Sequence, residues 1–343
     1  MTGGGIRTPF SEPPAEGEAQ EIAPGVLWMR LPLPMALDHV NAFAFADDDG
    51  WTTVDTGFDS RRTRAIWEAL LAGPLAGRPV ARLLATHHHP DHLGLAGWFQ
   101  GRGAALLTSR TAWLMARMLV LDDQPRPVPQ ALEFWRRAGM PADLLAERAA
   151  ERPFNFADVV HPLPLGYTRL TEGDRILFGG RDWLVRVGHG HAPEHLTLWS
   201  QSDDLVIGGD QLLPSISPNL GVYPSEPDAD PVGEWLSSCR AFAELAEPRH
   251  LVLPGHKLPF TGLPHRLGQL IENHVSALDR MEAAMALRPM SAVDAFETLF
   301  KRPIGRGEFG LALVEAVAHV NHLRRQGRVH KAGERDGAVL WGA

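Results

Sequence analysis

The stretch "LLATHHHPDH", Leu83–His92, places four histidines and one aspartate within its last six residues. His87 and His89 are two residues apart, so an extended backbone turns both imidazoles to one side and the imidazole of His88 to the other. Pro90 favours this extended conformation, because a proline restricts the backbone of the residue before it. The pattern therefore predicts two histidines that face one point.

Two more residues of ligand type, Asp91 and His92, follow on the turn into "LGLAGWF". Carboxylates and neutral imidazoles both bind divalent metal ions. Taken alone, however, a dense group of histidines is equally compatible with a solvated loop. The stretch by itself leaves both interpretations open.

Three later segments share one pattern, in which an apolar run ends in glycine and a ligand-type residue. They are "WLVRVGHGH" with His189 and His191, "DLVIGGD" with Asp210, and "HLVLPGH" with His256. In α/β proteins, sites assemble at the carboxyl ends of strands. The repetition therefore favours a shared metal site over a solvated loop.

The chain alternates strand-like and helical patterns from residue 25 to about residue 260, which predicts an α/β fold. We expect a flexible tail over residues 1–24 and a metal hydrolase domain over residues 25–262. The latter carries a helical insertion at about 111–151. A small, mainly helical domain is expected over residues 263–343, where longer helical periods begin.

Composition excludes several classes of protein. The 343 residues are 44% hydrophobic and carry a formal charge of -8, which gives no long-range attraction for nucleic acid. The single cysteine, Cys239, rules out a disulfide framework and is most simply a buried thiol. Residues 1–24 lack the apolar run of a signal peptide, and no 18-residue apolar stretch follows. We therefore expect a cytoplasmic protein that does not enter a membrane.

Several motifs carry a resemblance to one family. "THHHPDH" resembles the HxHxDH signature of the metallo-β-lactamase superfamily, and "GHAPEH", "GGD" and "LPGH" are similar to its later ligand motifs. "VDTG", Val54–Gly57, resembles the turn that carries an aspartate beneath the metal site of that family. The resemblance spans about residues 25–260. It implies an αββα sandwich with two metal ions at one edge.

The resemblance also implies a role for each ligand-type residue. It assigns His87, His89 and His191 to the first ion, Asp91, His92 and His256 to the second, and Asp210 to both as a bridge. Asp55 is expected to orient a ligand, and His195 to form hydrogen bonds beside the site. A mixed nitrogen and oxygen ligand set suits two divalent ions, with Zn²⁺ first and Fe or Mn as alternatives.

The chain departs from the family pattern in "GHGHAPEH", which offers three histidines for one ligand position. We favour His191, because it stands four residues before His195, as in the HxxxH motif of the family. Glu194 occupies a position where glycine is common. His39 and His88 are expected to be structural.

Asp210 stands where true zinc β-lactamases carry cysteine, which favours hydrolases similar to glyoxalase II over antibiotic hydrolysis. The resulting hypothesis is a binuclear metal hydrolase whose metal-bound hydroxide cleaves a thioester, ester or lactone of a small molecule. Asp91 is the catalytic candidate, because it touches one ion and can also accept a proton from water. No G-x-S-x-G motif suggests a serine nucleophile.

The C-terminal segment offers alternatives. Helices followed by "RVHKAGERDGAVLW" resemble a small winged-helix domain, so cleavage of RNA phosphodiesters is the second hypothesis and a nucleic-acid-binding regulator the third. Residues 291–343 hold eight Lys and Arg against six Asp and Glu, which favours a structural role or packing in a homo-oligomer. Residues 111–151 either cap the metal ions with Trp113, Met118 and Trp135 or simply pack onto the core.

Overall fold

The computed structural model describes residues 5–35 and 37–343. The chain divides into two compact units. The first consists of the chain up to Asp123, Asn155–Pro218 and Leu245–Arg266. The second consists of Gln124–Phe154, Asn219–Glu244 and Leu267–Ala343.

The first unit contains a seven-stranded sheet in which neighbours in space are also neighbours in sequence. The strands are β1 (Ala19–Ala23), β2 (Val26–Pro32), β3 (His39–Asp47), β4 (Gly50–Val54), β5 (Val80–Leu84), β6 (Ala105–Thr108) and β7 (Thr168–Arg169). β1 to β4 pair in antiparallel fashion, and β4 to β7 pair in parallel.

A second sheet of five strands has the order β12-β11-β10-β9-β8. Its strands are β8 (Arg175–Phe178), β9 (Arg181–Gly188), β10 (His195–Ser200), β11 (Leu205–Gly209) and β12 (Leu251–Pro254). β11 and β12 are parallel, and the other pairs are antiparallel.

The alternation of side chains along β3 shows how the two sheets pack. Phe43 and Phe45 belong to the core between the sheets, where Phe45 meets Phe178 and Trp183 edge to face at centroid distances of 5.2 and 5.5 Å. Ala44 points to the opposite face and joins the core beneath the helices. Large rings therefore fill the space between the sheets, as expected for a β-sandwich.

Helices cover the outer face of the first sheet. They are α1 (Arg61–Ala72), α2 (Pro90–Leu93), α3 (Ala96–Gln100) and α4 (Arg110–Leu121), with a 3₁₀ turn at Phe156–Asp158. α1 begins where the Ser60 side chain accepts a hydrogen bond from the Thr63 backbone N–H. It buries Ile66, Trp67 and Leu70 in the core beneath it. The architecture is the mixed α/β fold that the sequence predicts.

The segment predicted as a flexible tail, residues 1–24, contains an ordered strand. β1 pairs with β2, and Ile22 and Ala23 pack against the core between the sheets. The segment therefore joins the sheet because its apolar side chains pack against the core. The many Gly and Pro residues nearby led the sequence analysis to predict a flexible tail instead. Residues 1–4 of the predicted tail lie outside the described residues.

The second unit carries helices and a hairpin. They are α5 (Pro129–Ala138), α6 (Ala142–Ala150), α7 (Pro231–Ala243), most of α8 (Leu263–Leu287), α9 (Phe296–Phe300), α10 (Phe309–Arg325), β13 (His330–Arg335) and β14 (Ala338–Gly342). The C-terminal region is therefore helical and ends in a two-stranded sheet. Across the described residues, no helix combines the length and apolarity needed to cross a bilayer.

The predicted boundary at residue 263 lies close to the start of the last range of the second unit, Leu267–Ala343. Two internal ranges, 124–154 and 219–244, also belong to this unit, although the sequence placed them in the first domain. The helical periods of these ranges gave no sign of which unit they join. The predicted domain bounds and the winged-helix interpretation stay predictions.

A pair of histidines is buried inside the second unit. His274 of α8 and His319 of α10 stack at a centroid distance of 5.3 Å, with 3.2 Å between His274 Nδ1 and His319 Nε2. His319 Nδ1 donates to the Glu315 carbonyl at 2.8 Å, so His319 Nε2 accepts a hydrogen bond from His274. Burial lowers the pKa of His274 to about 3 and that of His319 to about 4. Both imidazoles are therefore neutral near pH 7.

This pair predicts an acid sensitivity of the fold. Because each pKa lies below the value of about 6.5 in the unfolded chain, their contribution is complete above pH ~6.5 and is lost as the pH falls. We expect the double variant His274→Gln, His319→Gln to lose less unfolding free energy between about pH 8 and about pH 5 than wild type does. Denaturant unfolding at constant metal concentration measures this difference.

The control is the single variant His330→Gln, which removes a histidine from an exposed position outside the buried pair. Equal pH dependence in wild type and in the double variant would contradict the prediction.

Candidate metal centre

Residues of ligand type follow the carboxyl ends of strands in both sheets. Asp55 directly follows β4, and His87 comes three residues after β5. In the second sheet, His189 directly follows β9, Asp210 directly follows β11, and His256 comes two residues after β12. The sandwich thus collects these side chains along one edge, as the repeated sequence pattern predicts.

One group of donors consists of His87, His89 and His191. His87 Nε2 lies 2.9 Å from His89 Nδ1, which in turn lies 3.0 Å from His191 Nε2. His88 is turned elsewhere, with its ring stacked on Phe156 at a centroid distance of 6.2 Å. The alternation predicted from an extended backbone therefore holds at these three positions.

A second group consists of Asp91, His92 and His256. Asp91 Oδ2 lies 3.3 Å from His256 Nε2 and 3.6 Å from His92 Nε2. Pro90 is the first residue of α2, so Asp91 and His92 lie in a short helix that turns both toward the group.

Asp210 lies between the two groups, and together with His87 and His92 it forms a third donor group. Its Oδ1 is 3.3 Å from His92 Nε2, and its Oδ2 is 3.3 Å from His256 Nε2 and 3.4 Å from His191 Nε2. One carboxylate therefore reaches donors of both groups.

The residues fit divalent metal ions. His92 Nε2 and Asp210 Oδ1 are both buried. They lie 3.3 Å apart without the geometry of a hydrogen bond, and neither atom forms a hydrogen bond with any other described residue. Gly255 leaves the space beside them open, since a Cβ there would lie 2.2 Å from Asp210 Oδ1 and 2.7 Å from His92 Cε1. A cation satisfies such atoms, and imidazole with carboxylate suits Zn²⁺, Fe or Mn.

Asp55 fixes the orientation of His92. Its Oδ2 accepts hydrogen bonds from His92 Nδ1 at 2.8 Å and from Thr86 Oγ1 at 2.9 Å, and its Oδ1 accepts from the Thr86 backbone N–H at 2.9 Å. One His92 proton is therefore on Nδ1, and Nε2 faces the donor groups. Asp55 lies where the sequence places it, beneath the site and away from the three donor groups.

Two further histidines are oriented in the same way. Thr86 Oγ1 donates its proton to Asp55, so at 3.0 Å it accepts a hydrogen bond from His87 Nδ1. His256 Nδ1 donates to the His39 carbonyl at 2.8 Å. Each bond fixes one ring proton on Nδ1 and directs Nε2 toward the donor groups, where metal binding would displace any proton that Nε2 carries.

Burial and charge set the protonation of these groups. Burial among other imidazoles lowers the pKa of His87 and His89 well below the usual value. Burial also disfavours the charged form of His256, but the carboxylates, first that of Asp210, outweigh it and raise the pKa to about 10. Burial raises the pKa of Asp210, but the neighbouring imidazoles hold it well below the usual value. Asp210 is therefore ionised, and His87 and His89 are neutral.

The remaining histidines of "GHGHAPEH" lie beside the donors. His195 is fully buried, stacks on the ring of His87 at 4.6 Å, and its Nε2 accepts a hydrogen bond from the Asp210 backbone N–H at 3.1 Å. His189 Nδ1 accepts a hydrogen bond from the Glu194 backbone N–H at 3.3 Å. Among the described residues, the three donor groups include His191 and neither of these two.

Sequence reasoning missed three features of the site, which are the Thr86 hydroxyl, the gap at Gly255 and the carbonyl of His39. Thr86 directly precedes His87, and Gly255 directly precedes His256. Their places next to predicted ligands are the only signal that the sequence gives for them. The carbonyl of His39 carried no such signal, because any residue type supplies one. The side chain of His39 pairs with Asp38, with 2.6 Å between His39 Nδ1 and Asp38 Oδ1.

A β-sandwich with helices outside, and with imidazoles and carboxylates gathered at its strand ends, defines a metal-dependent hydrolase. The chain belongs to the metallo-β-lactamase superfamily, whose family model matches residues 35–256. A second model, described as the metallo-β-lactamase-like C-terminal domain, matches residues 278–342.

Known relatives agree with this assignment. The chain is 24% identical over 307 residues to "Probable metallo-hydrolase YqjP" of Bacillus subtilis (strain 168), covering 88% of this chain and 92% of that protein. A β-lactamase domain protein from Burkholderia ambifaria is 35% identical, with a TM-score of 0.90 and 98% of both chains covered. A metallo-β-lactamase family protein from Thermus thermophilus is 26% identical, with a TM-score of 0.77. The match covers 94% of this chain and 99% of that protein.

The role of Thr86 gives a direct test. Thr86→Val keeps the shape of the side chain but removes the hydroxyl that joins Asp55 to His87. We expect metal affinity to fall about 10–100-fold, the range typical of partners that orient metal ligands. Competition with a chromogenic chelator measures the affinity.

Thr53 provides a matched control, because its Oγ1 is buried without a hydrogen-bond partner among the described residues. Thr53→Val should leave metal affinity unchanged. If both variants bind metal as tightly as wild type, the hydrogen-bond chain from Asp55 through Thr86 does not support the ligands.

Proposed function

We propose that the protein is a binuclear metal hydrolase, with a glyoxalase-II-like ligand set, that cleaves a thioester, ester or lactone of a small molecule. The position of Asp210, within 3.4 Å of imidazole nitrogens from both donor groups, is the observation that carries this proposal. Zn²⁺ is the first candidate for both ions, and Fe or Mn are alternatives. Two ions held this way supply hydroxide at neutral pH and polarise a substrate carbonyl.

Asp91 is the residue that we assign to proton transfer. Its Oδ2 faces His92 and His256, and 17% of its side chain is exposed, against 0% and 2% for those two histidines. A carboxylate that is both at the ligand cluster and open to solvent is suited to accept a proton from water and return it to the leaving group. Asp210, in contrast, is enclosed by imidazoles and serves as a ligand.

Exposed apolar side chains on α4 support an acyl substrate. α4 packs against the 3₁₀ turn that contains Phe156, the residue stacked on His88. About half of the Leu114 and Met118 side chains of α4 is exposed, which offers apolar surface for an acyl group. Trp113 does not contribute, because its ring is stacked on Tyr167 at 4.9 Å and packs on the core.

Cleavage of RNA is the alternative that this surface favours less. Of the eight Lys and Arg in residues 291–343, six form ion pairs with acidic side chains of the second unit. These six are Arg302, Arg306, Arg324, Arg328, Lys331 and Arg335. Little positive charge remains there to attract a phosphate backbone. A nucleic-acid-binding regulator with a vestigial site is favoured least, since all seven donors converge.

The C-terminal region completes the proposal. We assign residues 263–343 to a small winged-helix-like domain with a structural role or a role in packing against a second copy of the chain. We place the protein in the cytoplasm, without a membrane or nucleic-acid partner.

A substrate panel tests the proposed reaction. Protein loaded with Zn²⁺, Fe or Mn should hydrolyse at least one acyl thioester, ester or lactone, and should be inactive toward single-stranded RNA and a cephalosporin. The His191→Ala variant is the matched control. Its turnover should fall by more than the ~100-fold upper range that loss of an orienting partner causes, because a ligand itself is removed.

If the protein cleaved RNA and hydrolysed no acyl substrate, the alternative function, cleavage of RNA phosphodiesters, would be correct instead. Activity that survives in His191→Ala would show that the reaction does not use the centre described above.

A further inference from the structure

Glu194 has an unusual backbone conformation for its residue type. Its φ is +49°, in the left-handed region that glycine adopts without steric cost and that other residues rarely enter. A glutamate in this conformation needs a compensating interaction.

The side chain of Glu194 makes such an interaction. Its Oε2 accepts a hydrogen bond of 2.7 Å from the backbone N–H of Thr111, in the first turn of α4. The first N–H groups of a helix have no partner within the helix. Ser109 caps the N–H of Ala112, and Glu194 supplies the acceptor for Thr111 from a distant part of the chain. A carboxylate at a helix N-terminus is also favoured by the helix dipole.

The backbone of Glu194 holds the loop that carries His191. Its N–H donates to His189 Nδ1 at 3.3 Å, which closes the loop on itself. The carbonyl of His189 in turn accepts a hydrogen bond from Gln211 Nε2 at 3.3 Å. His191, the only donor that this loop gives to the three groups among the described residues, thus lies between two anchored positions.

We propose that Glu194 is a positioning residue, which ties the loop of His191 to the first turn of α4 and so holds His191 against His87 and His89. This inference rests on the proposed binuclear centre. Among the described residues, Glu194 belongs to none of the three donor groups. Its loss therefore lowers the affinity for the ion at the three histidines and leaves the ion at Asp91, His92 and His256 in place.

Two substitutions separate the hydrogen bond from the backbone conformation. Glu194→Gly removes the acceptor, yet it introduces no strain at φ +49°, so the fold is kept. Glu194→Gln retains a carbonyl oxygen that can accept from Thr111, and it should restore the wild-type behaviour. Glu68→Ala is the control, because it removes a glutamate from an exposed position of α1.

Titration with Co²⁺ is the measurement, since the visible absorption of bound cobalt reports on the ligands of each ion. We expect two ions in wild type, Glu68→Ala and Glu194→Gln, with the same spectra. In Glu194→Gly, the affinity for one of the two ions should fall about 10–100-fold, with a changed spectrum for that ion alone. Circular dichroism confirms that each variant is folded.

The proposal would be overturned if Glu194→Gly bound both ions with wild-type affinity and spectra. It would also be overturned if Glu194→Gln lost the ion at the three histidines as fully as Glu194→Gly does. A wild-type chain that binds only one ion would instead overturn the binuclear centre. The two failures are therefore distinguishable.

Discussion

The structure depends on the balance of charge at one edge of its sandwich. Five imidazoles and two carboxylates are gathered there, most of them withdrawn from water. Buried charges are costly unless they are paired, and buried polar atoms unless they are bonded. The unpartnered His92 Nε2 and Asp210 Oδ1 show that, among the described residues, protein groups alone do not complete the balance. Cations bound by these side chains would complete it, and the surrounding hydrogen bonds orient the imidazoles toward the cluster.

The sandwich supplies the rigidity that such a cluster needs. Strands from both sheets end at the site, and the core between the sheets is filled by large rings such as Phe45 and Trp183. Ligands on strand ends are fixed by the packing of the strands, so small errors of geometry are suppressed. The loop of His191, between β9 and β10, is held in addition by the hydrogen bond from the backbone N–H of Thr111, at the start of α4, to the Glu194 side chain.

The sequence predicted the α/β fold, because strand ends leave local patterns. The seven residues that the family resemblance assigns as ligands lie close together in the structure, and their roles as ligands stay predictions. The sequence separated His191 from His189 only through a family motif, whereas the structure separates them by geometry. It placed β1 in a tail, since five residues of mixed polarity carry little signal. The Thr86 hydroxyl and the partner of Glu194 depend on contacts across 31 and 83 residues of the chain, which no local pattern encodes.

The number of ions bound per chain tests the central claim most directly. If Asp210 joins two donor groups, elemental analysis of protein reconstituted with zinc, iron or manganese should approach two ions per chain, as in other binuclear sites of this type. A maximum of one ion per chain, reproduced with each of the three metals, would contradict the account.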